Sequence, residues 1–171
     1  MIQILGKIVQ AIFIAVSSIP VLLVVVFRHF FRKTIDLESK YANAPEMNQA
    51  TAEARASLYD FEQYYNYPEA RAYVKVALID SKGETKSYWG IVNKVTEDYF
   101  HLKLTAKKLN ESQFSRNQLC LKNEILDWVV KVPNLKNKGG FTMKVLFQLC
   151  EEEYGKLSEE FQNEKDKYSF L

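Results

Sequence analysis

Residues Glu124 to Thr142 read EILDWVVKVPNLKNKGGFT, and the way this stretch folds decides the second half of the chain. Leu126, Trp128, Val130 and Val132 fall on one side of a period of two, with Ile125, Asp127, Val129 and Lys131 on the other. That alternation predicts a strand, closed by Pro133. Gly139 and Gly140 then mark a hairpin turn, because glycine takes positive φ without steric cost. Beyond them FTMKVLFQL alternates again through Phe141, Met143, Val145, Phe147 and Leu149, which predicts a last strand paired with the one carrying Trp128.

Working outward, Val74, Val76 and Leu78 alternate with Tyr73, Lys75 and Ala77; a DSKGE turn and SYWGIVNKV follow, the latter with Trp89, Ile91 and Val95 on one face. This predicts a β-hairpin. YFHLKLT adds a strand with Phe100, Leu102 and Leu104 inward, and QLCLK a short one with Leu119 and Leu121 pointing one way. Upstream, Ala54, Leu58, Phe61 and Tyr65 recur at helical spacing after Asn48, a good N-cap residue, and Pro68 sets the limit of that helix. The expected fold is α+β: a twisted antiparallel sheet of about five or six strands with this helix packed on one face, covering Trp89 and Trp128. Residues 154–171 are charged and read as a partly amphipathic terminal helix or tail.

The N-terminus is different in kind. Ile8 to Phe27, IVQAIFIAVSSIPVLLVVVF, carries no charge, and at ~1.5 Å per residue these residues span about 30 Å, the thickness of a bilayer's hydrocarbon. A cleaved secretory signal is the rival reading. The run exceeds a signal's usual length, no small-x-small site follows it, and RHFFRK comes next, so an uncleaved single-pass anchor over residues 1–33 is expected. Arg28, Arg32 and Lys33 follow the span while Lys7 precedes it, which puts the soluble part on the cytoplasmic side. Residues 34–46 are polar and read as a linker to a domain over residues 47–153.

All 21 Asp and Glu lie after Thr34, where 19 of the 23 Lys and Arg also lie, leaving a net charge of −2 on the soluble part. There is no overall basic excess to neutralise a phosphate backbone, so no nucleic acid is expected. Cys120 and Cys150 lack the spacing of a metal site or redox pair and read as reduced structural thiols. His101, outward on its strand, has no second histidine or neighbouring cysteine with which to hold zinc. No cofactor, metal or catalytic residue is predicted.

Three features remain as candidates. KNKGGFT resembles phosphate loops in its basic side chains, glycines and hydroxyl, but GxxxxGK[ST] is absent and a strand is expected to follow, so neither an amide cradle nor a helix dipole is predicted. Trp128 reads as core. Asp127, on the opposite face, would pair with Arg55 or Lys75, accept amides from the Gly139 turn, or face a partner.

The ordered series PEMNQATAEARASLYDF, AYVKV, a tryptophan in the second strand, ILDW and GGFT resembles the YegJ-like domain of unknown function family, number 2314, over Pro45 to about Glu153. The positions that carry it include Asn48, Arg55, Lys75, Trp89, Asp127, Trp128, Gly139, Gly140 and Thr142. Arg116 and Asn117 stand where the family tends to have a glycine turn, and a proline usual in the preceding loop is absent. The resemblance implies this fold and membership of a mostly bacterial family; it implies no activity. The expected function is a membrane-anchored, non-catalytic binding or regulatory module with a protein partner, its aromatic surface including Tyr59, Tyr64, Tyr65 and Tyr67. The alternative is a hydrolase or transferase whose site gathers Asp127, Lys75, Arg55 and Thr142.

Overall fold

A computed structural model describes residues 37, 38, 40–79, 83–105 and 114–169. The chain divides into two compact units, Met1–Ala42 and Asn43–Leu171. Of the first, the described residues 37, 38, 40 and 41 are helical. The predicted membrane span Ile8 to Phe27 lies outside the described residues, and among those described no helix is long and apolar enough to cross a membrane.

The second unit is α+β. Helix α1 (Pro45–Ala56) opens with proline in its first turn, where a missing N–H costs nothing. Asn48 is therefore inside the helix and not its cap, which corrects the expected start. Met47, Ala50 and Ala54 form its buried face. The single helix predicted up to Pro68 is two: the chain breaks at Ser57, whose hydroxyl donates back to Ala54 O at 3.1 Å, and resumes as α2 (Leu58–Tyr65). Phe61 is the buried residue of α2, edge-on to both Phe100 and Trp128.

Six strands form one antiparallel sheet: β1 (Arg71–Ile79), β2 (Thr85–Val95), β3 (Tyr99–Leu104), β4 (Asn117–Leu121), β5 (Asp127–Lys131) and β6 (Lys138–Gly139), in the order β4-β3-β2-β1-β5-β6. The register sets Val74 opposite both Gly90 and Trp128, and Val92 opposite Leu102. These residues share the face that packs with Ala54 and Phe61, and Phe100, Leu104, Cys120 and Val130 complete the core. Trp89 belongs to the other face, paired with Lys75, so it is not under the helix as expected. Gly90 takes the inward position instead; a Cβ there would come within 3.0 Å of Leu102. A bulge after Val92 brings Lys94 opposite His101.

The largest correction is at FTMKVLFQL, which is helical. Helix α3 runs Phe141–Tyr154 and buries Thr142, Met143, Leu146, Phe147 and Cys150. These positions follow a helical period, and α3 packs beside α1. The strand that the glycine turn adds beside β5 is only the two residues of β6. A last helix, α4 (Glu159–Lys165), is capped by Ser158. The chain then returns: Asn137 N donates to Lys167 O at 2.7 Å and Ser169 N to Asn137 O at 3.1 Å. Phe161 and Tyr168 both meet Phe147, which locks the terminal segment to α3.

Candidate functional site

Asp127 opens β5 as the cross-strand partner of Lys75, next to the start of α3. Helix α3 needs an acceptor for its first amides, and its N-cap residue, Gly140, has no side chain to offer one. Asp127 supplies it from fourteen and fifteen positions upstream. Its Oδ1 accepts from Phe141 N at 3.1 Å and from Trp128 N at 2.7 Å; its Oδ2 accepts from Thr142 N at 2.9 Å and Thr142 Oγ1 at 2.6 Å. Four donors on two oxygens match the capacity of an ionised carboxylate, and the N-terminal end of a helix favours that charge. Lys75 Nζ donates to the same Thr142 hydroxyl over a longer 3.5 Å. Ammonium, hydroxyl and carboxylate thus form a chain with one direction: Lys75 to Thr142 to Asp127.

Burial sets the electrostatics. Asp127 is 0 % exposed, and Lys75 and Thr142 are each 4 % exposed. Loss of water pushes the Asp127 carboxyl up to about 6, against the lowering effects of the Thr142 hydroxyl, the Lys75 charge and the Thr142 and Trp128 amides. It remains ionised at neutral pH. The Lys75 ammonium also lies 5.9 Å from the Trp89 ring centre, a cation–π contact that eases its own burial.

The glycines are required by close approach. Gly139 and Gly140 have φ of 78° and 82°. A Cβ on Gly139 would lie 2.2 Å from Trp128 O and 2.5 Å from its ring; one on Gly140 would lie 2.5 Å from the Tyr168 ring. The positive φ was legible, but the hairpin was not the reason for it. The pair turns the chain out of β6 and into a helix, with Gly140 N donating to Trp128 O at 2.8 Å. KNKGGFT therefore does lead into helix amides that bind an anion, contrary to the expected strand. The anion is the protein's own Asp127.

Trp128 points the other way and is 2 % exposed. Its Nε1 donates to Ala54 O at 2.9 Å and to Ser57 Oγ at 3.1 Å, tying β5 to the end of α1. Arg55 does not join the Asp127 group: its Nε donates to Ile125 O at 2.8 Å. Of the residues singled out from sequence, Asp127, Lys75 and Thr142 touch, Gly139 and Gly140 deliver Thr142, and Arg55 and Trp128 serve the junction with α1. The Phe141 amide and the Tyr168 ring were not foreseen; the paired glycines fifteen residues or fewer from an acid were the available signal.

As a chemical site the group is sealed. Both carboxylate oxygens are engaged, and all three residues are buried. A depression of about 110 Å³ lies elsewhere, lined by Val76, Leu78, Leu119, Cys120 and Glu124 among others. Its thiol is pushed up to about 11 by burial and by Glu124, so Cys120 is no nucleophile at neutral pH. Cys120 and Cys150 are buried and not joined in a disulfide, and His101 is exposed on β3. Among the described residues no group of three His, Cys, Asp or Glu is placed to hold a metal ion. The chain matches no family model, no curated protein and no solved structure.

Proposed function

We propose that the chain is a YegJ-like, membrane-anchored module that binds or regulates a protein partner without catalysing a reaction, held by residues 8–27 with its domain on the cytoplasmic side. The observation that carries the non-catalytic reading is the engagement of Asp127. A general base or nucleophile must reach a substrate, and this carboxylate is enclosed by the amides of the helix it caps. A partner surface is supported by Tyr59 on α2 and Tyr67 just after it, 72 % and 50 % exposed. The anchor is supported by the uncharged run and the basic residues behind it.

A pull-down of the full chain from native membranes, with Tyr59→Ala as its comparison, tests the binding role. A stoichiometric protein retained by the native chain and lost by the variant is expected; recovery of none overturns the reading. Protease protection in sealed vesicles reads the topology separately. The hydrolase or transferase reading keeps one observation in its favour, the contact of Asp127, Thr142 and Lys75 around a carboxyl of raised pKa. It requires α3 to leave Asp127, and Arg55 is directed elsewhere.

A further inference from the structure

The sheet face opposite α1 and α2 is built from one kind of charge. The register puts Arg71 and Lys131 side by side on it, Lys103 beside Ile91, and Lys94 beside His101. Among the described residues of this face the one carboxylate is Asp127, which is buried under α3. Arg71, Lys94, Lys103 and Lys131 are all exposed, and none takes part in an ion pair, although Lys86, Lys122, Lys165 and Lys167 elsewhere each do. The face is thus locally positive, although the residues after Thr34 carry a net charge of −2. Between them stand Tyr73 and Trp89, half-buried, and Ile91 at 38 % exposure.

We propose that this open face docks on an anionic lipid surface. Unpaired lysines and an arginine around half-exposed aromatic rings suit a headgroup layer, where long cationic side chains reach phosphates and rings sit at the apolar boundary. Single-stranded nucleic acid, the other polyanion with a use for aromatics, needs open ring faces on which bases stack. Here Lys131 Nζ lies over the Tyr73 ring at 5.3 Å and Lys75 Nζ over Trp89 at 5.9 Å. The rings are already stacked by cations. The docking does not depend on residues 8–27 being an anchor.

The test uses the full chain in phosphatidylcholine vesicles with and without phosphatidylglycerol, each doped with a lipid bearing a nitroxide on its headgroup. Trp89 lies on the face and Trp128 is buried, so quenching of tryptophan emission reports contact, and Trp89→Phe assigns it. Quenching is expected in the anionic vesicles, with loss in high salt and in the Lys103→Glu, Lys131→Glu double variant, whose unchanged Trp128 emission shows that it is folded. Equal quenching in both vesicles, no quenching in either, or quenching that survives the double variant overturns the proposal. So does binding of an oligodeoxythymidylate in neutral vesicles without quenching in anionic ones, which assigns the face to nucleic acid. Alkaline carbonate extraction of the same samples reads the anchor independently: an extracted chain that is still quenched only by anionic lipid loses the anchor and keeps the face.

Discussion

Two consecutive residues of β5 serve the ends of two helices, and they do so with different reserves. Trp128 donates to the last turn of α1 at Ala54 O, where Ser57 Oγ donates as well and Arg55 adds its own tie to Ile125. Asp127 accepts from the first turn of α3, where Gly140 has no side chain to share the task. One helix end is secured redundantly; the other rests on a single buried carboxylate. A strand's alternation makes the division possible, since neighbours on one strand face opposite sides.

That contrast predicts unequal costs. Asp127→Ala would strip two helix amides, a hydroxyl and the Trp128 amide of their acceptor in a fully buried site. A loss of about 3 to 5 kcal/mol in urea unfolding of the full chain is expected; a loss under about 1 would place Asp127 outside the structure's essential contacts. Gly139→Ala should cost about 3 kcal/mol or more, because the added Cβ meets Trp128 O at 2.2 Å in a left-handed backbone. At the far end of the same helix, Gly155 has φ 74° but nothing within 4 Å of a Cβ. Gly155→Ala should therefore show the backbone term alone, about 1 to 2 kcal/mol by thermal melting. Trp128→Phe should cost the least of the four, about 1 kcal/mol for the lost indole bond, because the ring volume is mostly kept and Ser57 still donates to Ala54 O. A larger loss there would mean that the redundancy is illusory.

The parts of this structure legible in sequence are those decided by near neighbours. β1, β2 and β3 form where the period of two put strands, and in β3 Phe100, Leu102 and Leu104 are buried in the expected alternation. α3 was hidden because Phe141, Met143, Val145, Phe147 and Leu149 satisfy a period of two while Met143, Leu146, Phe147 and Cys150 satisfy a helical one. What selects the helix is remote: a carboxylate fifteen residues upstream that caps Thr142, and a C-terminal ring that fills the space beside Gly140. For the same reason Asp127 could be placed on the correct face without its partner being identified. Arg55, Lys75 and the glycine turn were all within its reach in sequence terms, and only the path of the chain chooses among them. Trp89 misled because its ring looks like core, while Gly90 beside it takes the crowded position.

Burial also gives the cap a pH signature. Burial pushes the folded carboxyl up to about 6 from its ordinary 3.8, so between these limits the folded chain keeps a proton that the unfolded chain has shed. The group's stabilisation is thus present at low pH and lost as pH rises through about 6, at about 1.4 kcal/mol per unit. The most direct measurement is carbon NMR of the Asp127 carboxyl in the full chain, with the amide protons of Phe141 and Thr142 followed through the same titration. A midpoint near 6 shared by the carboxyl and both amides is the predicted result. Phe141 and Thr142 amides that do not follow the carboxyl through its titration would contradict the assignment of Asp127 as the cap of α3.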